Sequence, residues 1–442
     1  MTTFAPRARD WNPVVVLMPL VLIHVASLLV LAALPAAAVP YVDSEYGSQA
    51  FFLSPEINAM GGTGVALYRG GLTSIYNPAF LVIEEAQRFD ISFSAEVQTE
   101  DRYVPLYDSF QSIVVDTDIA SNRNNYFYGA LGYARRLISG STPVTLGLSL
   151  TERYPFNYTF EEEIRDPDSF SDPRDRILED RAYEVDGALR FLSAGLAVGL
   201  DEVFALGGSV NYAFGEREEV WRSRHFLSPA ESFHETISFS QDGVNFALGA
   251  RLKASERWEF GLSWESRLKV SGSQTREITY GVAPDSVQIA SERHSVKYPY
   301  ILSGGLAYRP RNIPRTVFTL DLVFSNWSEL EDTREVPSDF VNLRDTLDYR
   351  FAIQHSFYNG VPVWFGFRHL NSYANQEANA NYFSAGLGMH FVKGLLEFSV
   401  EIGKIVSEQE HLFEYPSGFE VEPTARVEDS TFRFGFGYRI SW

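Results

Sequence analysis

The chain has 442 residues, 57 acidic against 37 basic, and a formal net charge of -20. So acidic a surface argues against a nucleic-acid partner, whose phosphates would repel it; with no cysteine, disulfides, Cys-ligated zinc and a lipidated N-terminal Cys are excluded as well. Aromatics are 14% of residues, which favours strands and membrane interfaces, while a mean hydropathy of -0.13 is too polar for a bundle of membrane helices.

Arg7 and Arg9 precede an apolar run from Val14 to Leu34, broken by Pro19, His24 and Ser27, and Ala36-Ala37-Ala38 follows it. A positive start, an apolar middle and small residues at the end read as a signal peptide over residues 1–38, removed on export. A retained anchor is the alternative, since a run of about 20 residues is long enough to span a bilayer.

Residues 39–87 do not alternate cleanly. They hold Met60-Gly61-Gly62-Thr63-Gly64, suited to close backbone packing, and Asn77-Pro78-Ala79 just before the first strand. Asn77 can cap a helical turn and Pro78 suits the first helical position. An apolar, glycine-rich segment too short for its own core reads as a hatch or plug inside a barrel.

From Arg88 onward the chain is a succession of period-two segments. Phe89, Ile91, Phe93, Ala95 and Val97 alternate with Asp90, Ser92, Ser94 and Glu96. At the far end Phe432, Phe434, Phe436, Tyr438, Ile440 and Trp442 share one face, with Arg433, Gly435, Gly437, Arg439 and Ser441 on the other. An aromatic face opposite an arginine-glycine face suits a barrel wall, lipid outside and polar lumen inside. About fourteen such segments follow one another, an even number as bacterial barrels require. Short turns at 139–140, 201–202, 255–256, 310–311, 359–360 and 393–394 alternate with long polar connections at 100–123, 155–181, 216–234, 271–292, 328–345, 371–379 and 409–428. The fold expected is all-β: a transmembrane antiparallel barrel over residues 88–442. Short turns belong to the periplasm and long loops to the exterior, so both ends of the barrel are expected in the periplasm of an outer membrane. One segment departs from parity: Val185, Leu189 and Phe191 oppose Leu196, Val198 and Leu200. Either a bulge near residues 192–194 reverses the faces, or the first three residues pack inward on a plug.

The two hatch motifs, Met60-Gly61-Gly62 and Asn77-Pro78-Ala79, resemble those of the FadL/TodX family of outer-membrane transporters of hydrophobic compounds. The resemblance is specific over about residues 54–80 and architectural beyond. It implies a fourteen-stranded barrel closed by an N-terminal hatch, and a hydrophobic solute such as a long-chain fatty acid passing by loops and hatch. The end of the chain looks like the signal read by the barrel-assembly machinery, with Gly437, Ile440 and Trp442 at its defining positions, although that signal more often ends in Phe. Relatives often carry paired acidic residues between the motifs, where this chain has Tyr68-Arg69-Gly70-Gly71-Leu72. Related PorV-like barrels serve protein secretion or surface attachment, which stands as the alternative function.

No enzymatic signature is found. Gly207-Gly208-Ser209-Val210-Asn211 lacks the second flank of a nucleophile elbow. Gly61-Gly62-Thr63-Gly64 lacks the Lys-Ser/Thr of a phosphate loop, and no His pair stands at metal-binding spacing. No cofactor and no metal are expected. Apolar hatch residues Phe51, Phe52, Leu53, Ile57, Leu67 and Phe80 are candidate solute contacts, with plain packing as the alternative for each. Arg251, Glu265, Arg267, Asp321, Arg350, Arg368, Glu397, Glu401, Arg433 and Arg439 are expected to face the lumen, as a charge network that seats the hatch. Expected partners are outer-membrane lipid, lipopolysaccharide, the assembly machinery and a hydrophobic small molecule. On this topology an epitope inserted near Asp168 is reachable by antibody on intact cells; labelling only after permeabilisation would reverse the assignment of the two ends.

Overall fold

A computed structural model describes residues 41–47, 54–82, 86–107, 110, 112–166, 176–281, 288–333, 342–410, 412 and 424–442. The expected signal peptide and Phe51, Phe52 and Leu53 lie outside the described residues. One antiparallel sheet of eighteen hydrogen-bonded segments winds round and closes on itself. Four of its strands are each split in two, leaving fourteen. They are β1 (Gln87–Tyr107), β2 (Ile113–Ile138), β3 (Val144–Pro155 with Tyr158–Arg165), β4 (Ile177–Gly199), β5 (Phe204–His225), β6 (Phe233–Lys253), β7 (Trp258–Glu265 with Lys269–Tyr280), β8 (Gln288–Lys297 with Ile301–Tyr308), β9 (Thr316–Ser325 with Glu331–Asp332), β10 (Thr346–Ser356), β11 (Pro362–Leu370), β12 (Ala380–Phe391), β13 (Gly394–Glu410) and β14 (Thr424–Ser441). The last strand pairs with the first from Arg88↔Ser441 to Tyr103↔Arg426, so the sheet closes into a barrel.

Among the described residues no helix is long and apolar enough to cross a membrane. The crossing belongs to the strands. Along β1 the side chains of Asp90, Ser92, Ser94 and Glu96 are buried, while Ile91 and Phe93 are exposed on the outer face. The outer face continues through Leu131, Leu148, Leu196, Val210, Phe246, Leu262, Leu322, Phe351, Phe365 and Phe434. A belt of this extent would be an aggregation hazard in water; in hydrocarbon it is matched to its solvent, and strand pairing satisfies the backbone along the ladders of the wall.

Six short turns lie at one end of the barrel, together with the start of β1 and the end of β14, where Gln87 N donates to Trp442 O at 2.9 Å. Long connections lie at the other. Three segments read as loops are largely strand instead: β1 and β2 run on to Tyr107 and from Ile113, β5 and β6 to His225 and from Phe233, β7 and β8 to Tyr280 and from Gln288. Beyond the hydrocarbon both faces of a ladder meet polar surroundings, so alternation fades although pairing continues.

The parity anomaly of β4 resolves toward inward packing. Its register with β5 is continuous from Glu179↔His225 to Gly199↔Ala205, with no bulge at 192–194. Val185, Leu189 and Phe191 are buried in the lumen, and Leu192, Leu196 and Leu200 face out. The irregularity lies next door in β3, between Glu152 and Tyr154. Similar resets occur where β7 and β8 divide. Odd-numbered residues Glu259 to Glu265 face in before the first break and even-numbered Val270, Gln274 and Ile278 after it. Each reset turns apolar side chains into the upper lumen.

The C-terminal strand has the register its sequence implies: Arg433, Gly435 and Gly437 inside, Phe434 and Phe436 outside. Phe436→Arg therefore places a charge in lipid and should cost about 2–4 kcal/mol near the midplane, measured by urea unfolding in bilayers. Gly435→Arg acts instead through the lumen, since even a Cβ there would lie 2.3 Å from Ser399 Oγ. A spin label at position 436 that reports a lumenal environment would overturn this register.

Candidate functional site

The stretch 54–82 lies inside the barrel, against the lower wall. Ser54 Oγ accepts from Ile57 N at 3.2 Å and caps the helix Pro55–Ala59. Gly61 and Gly62 then reverse the chain at φ +60° and +79°, values that a side chain would strain. After the turn Thr73–Tyr76, Asn77 Oδ1 accepts from Ala79 N at 3.2 Å and caps the turn Pro78–Leu81, with Pro78 at its first position. The same Asn77 side chain donates to Val65 O at 2.9 Å and to Ala250 O of β6 at 3.4 Å, tying the stretch to itself and to the wall.

What lets an irregular chain lie so close to a sheet is a girdle of wall glycines at one height. Across six successive strands Gly147, Gly195, Gly207, Gly249, Gly261 and Gly305 stand beside it, and Gly366, Gly386 and Gly437 continue the ring towards Gly132. A Cβ at Gly207 would lie 2.3 Å from the Pro78 carbonyl carbon, at Gly249 2.1 Å from Asn77 Oδ1, at Gly261 2.0 Å from Val65 O, and at Gly366 2.1 Å from Gly61 N. These glycines serve close approach rather than turning.

Polar side chains of the wall complete the seat. The Asp321 carboxylate accepts from Gly64 N at 2.7 Å and Val65 N at 3.0 Å. Arg350 donates to Tyr76 Oη at 2.6 Å and Gly62 O at 3.3 Å. Ser384 Oγ accepts from Gly61 N and donates to Ala59 O, both at 3.0 Å. Arg439 holds Glu56 together with Glu397 (2.6 Å) and Asp90 (3.3 Å). Glu259 gathers Arg69 (3.1 Å) and Arg251 (2.5 Å). Of the charges expected to form one network, Asp321, Arg350, Arg439, Glu397 and Arg251 meet at this seat. Arg368, Glu401 and Arg433 form a separate wall cluster with Glu96, with Arg368–Glu401 at 2.6 Å and Arg433–Glu96 at 2.9 Å. Glu265 pairs with Arg153 at 3.0 Å. Arg267 departs from the expectation: it sits in the break of β7 and pairs with Glu329, away from the seat. Buried pairs of this kind contribute little net stability, but removing one partner leaves an uncompensated charge, at a cost of about 3–5 kcal/mol.

Above the seat, toward the long connections, the lumen is aromatic. Tyr154, Phe156, Tyr158 and Phe160 of β3 join Tyr183, Leu189 and Phe191 of β4, with Leu268, Tyr298 and Trp327 from the breaks of β7, β8 and β9. Tyr41, in the helical turn Tyr41–Ser44, lies 5.6 Å from Tyr158 and 5.5 Å from Tyr183 between ring centroids. Glu45 pairs with Arg217 at 3.3 Å and Tyr46 Oη donates to Asp332 at 3.1 Å. Between the seat and this packed aromatic cluster (the chamber), a cavity of about 10 Å³, bordered by Ile75, Tyr76, Arg153, Glu265 and Arg350, has room for about one water. The hatch residues Ile57, Leu67 and Phe80 pack between hatch and wall, whereas Ile75 reaches the chamber. The seat residues Ser384 and Thr319, whose Oγ1 donates to Thr63 Oγ1 at 2.9 Å, escape sequence reading because a lone inward hydroxyl is unremarkable. The chamber carried a signal in the apolar residues of β3 and β4 that stand on the inward face.

The wall beside the chamber has a seam. Pairing of β2 with β3 runs from Ile138↔Val144 to Ala130↔Thr151 and ends there. Farther up, side chains replace the ladder: Asn124 Nδ2 donates to Thr159 O at 2.7 Å and Asn122 Nδ2 to Glu161 O at 2.9 Å. Pro155 has no N–H to offer at this point. The unladdered stretch stands next to Tyr154, Phe156 and Tyr158 of the chamber.

No family model matches the chain, and no curated protein matches it. Solved structures do. The toluene transporter TodX of Pseudomonas putida shares 13% identity at a TM-score of 0.61, covering 89% of this chain and 99% of that one. A FadL homologue of Pseudomonas aeruginosa shares 12% at 0.61, covering 89% and 98%. The toluene transporter TbuX of Ralstonia pickettii shares 14% at 0.55, covering 88% and 98%. At such identities the shared property is the fold, and the chain has the barrel fold of the FadL/TodX-type transporters.

Proposed function

We propose that this protein is a non-enzymatic outer-membrane channel for the uptake of hydrophobic compounds, long-chain fatty acids and hydrocarbons among them. The observation that carries the reading is the aromatic cluster packed in the upper lumen. A general porin keeps a polar lumen, and here the upper lumen buries rings that a hydrated solute would not need. The solute enters between the long connections, settles among Tyr154, Phe156, Tyr158 and Tyr183, and leaves past the hatch or through the seam between β2 and β3.

The wider organisation follows from this reading. Residues 1–38 direct export, 39–87 form the hatch and 88–442 the barrel. The short-turn end and both barrel termini face the periplasm, with lipopolysaccharide around the other end. Gly437, Ile440 and Trp442 address the chain to the assembly machinery, and Met60-Gly61-Gly62 with Asn77-Pro78-Ala79 set the hatch in place.

Two measurements test it. Native mass spectrometry of the full chain should find bound acyl chains, and Phe156→Asp, which puts an unpaired carboxylate into the cluster, should reduce their occupancy at least about tenfold by the cost of burying that charge. A wild-type chain that binds no acyl chain or hydrocarbon sinks the transporter reading. In planar bilayers, deletion of residues 39–69 should turn a nearly closed lumen into a conducting one. Gly249→Leu, whose side chain would occupy the place of Asn77, should raise conductance in the same direction. Unchanged conductance in a folded deletion protein would mean the segment is not a plug.

A further inference from the structure

The short-turn end carries a surface that neither the hatch nor the chamber uses. Three of its turns, 308–316, 356–363 and 390–395, contain no Asp or Glu in a chain whose net charge is -20. They carry Arg311, Arg315 and Lys393, all exposed and with no acidic partner among the described residues. The turns join alternate strand pairs from β8 to β13, so they stand side by side on the rim. Arg315 lies over the ring of Tyr358 at 4.1 Å, linking the first turn to the second. A Cβ at Gly360 would lie 3.1 Å from His390 Nε2, linking the second to the third.

The same rim presents large apolar side chains at its tips. Tyr358 is 93% exposed, Val392 84% and Phe391 56%. Val392 has φ +53°, the one positive φ of a non-glycine residue among those described. A β-branched residue is strained in this conformation, which Asn or Gly adopts freely. Folding alone gives no reason to keep an exposed valine there. A bilayer interface does, because apolar and aromatic tips gain by entering the headgroup boundary while arginine and lysine stay at the phosphates.

We propose that this rim docks anionic phospholipid of the adjoining leaflet: Arg311, Arg315 and Lys393 hold the headgroup phosphates, and Tyr358, Phe391 and Val392 anchor in the boundary. Charge complementarity selects the lipid, since a zwitterionic headgroup offsets its phosphate with its own cation and returns less attraction to three cations that lack an acidic partner among the described residues.

The test uses the full chain in nanodiscs of equimolar phosphatidylcholine and phosphatidylglycerol, with retained lipids counted by native mass spectrometry. Phosphatidylglycerol should be retained in preference. R311Q, R315Q and K393Q should each lower that preference by about fivefold, with the heat-modifiable folded band unchanged on gels. Val392→Asn with Tyr358→Ser should weaken retention of both lipids and leave their ratio intact. Inorganic phosphate should not displace the lipid. Equal retention of the two lipids by the wild-type chain overturns the proposal. So does an unaltered ratio when the three substitutions are combined, full displacement by phosphate, or a rim-dependent dimer without lipid preference.

Discussion

A polypeptide in hydrocarbon has no water to satisfy its backbone, and each unmet N–H or C=O costs several kcal/mol. The pairing of β14 with β1 along sixteen registered residue pairs closes the sheet and meets this constraint for the wall outside the β2–β3 seam. The rest of the molecule inherits it. Closure dictates alternation, alternation puts Asp90, Glu96, Arg433 and Glu397 in the lumen, and a lumen holding such charges needs partners.

The hatch meets the same constraint without a ladder. Its backbone is irregular and buried, so donors and acceptors are satisfied one at a time: Gly64 and Val65 by Asp321, Gly61 by Ser384, Val65 O by Asn77, Gly62 O by Arg350. The close seating that brings these side chains within reach depends on wall positions without a Cβ, which Gly207, Gly249, Gly261 and Gly366 supply. Glycine in a strand is a weakness on its own. Here it is offset by the contacts that its missing Cβ admits.

Much of this is legible in sequence. Alternation over 88–442, the even count and the regular exchange of short and long connections lead to the barrel. The asparagine and proline before β1 mark a capped turn, which Asn77 and Pro78 form. Parity fails where a strand is interrupted. The rule assumes an unbroken pleat, and β3, β7 and β8 each restart with the opposite face inward. Of the two readings of β4, a bulge or inward packing, the second holds; the irregularity stands in β3, and the inward apolar residues of β4 pack on side chains that β3's own reset turned inward. The hatch partners Ser384 and Thr319 depend on the height at which two distant segments meet, a quantity no local pattern holds.

The two halves of the lumen bear differently on an apolar guest. Below the chamber, the lumen holds the Asp321–hatch bonds, the Arg350–Tyr76 contact and the Arg439 cluster. An apolar molecule moving straight down must part buried charges from their partners, at about 3–5 kcal/mol for each pair broken. Beside the chamber, the β2–β3 ladder is already missing, and what closes the wall is the side chains of Asn122 and Asn124 on β3 carbonyls. Transfer from aromatic rings to lipid tails changes the surroundings of an apolar surface little, because both are out of water. For a guest of the proposed kind, the sideways path therefore carries the smaller electrostatic barrier, and the seat remains intact while the guest passes.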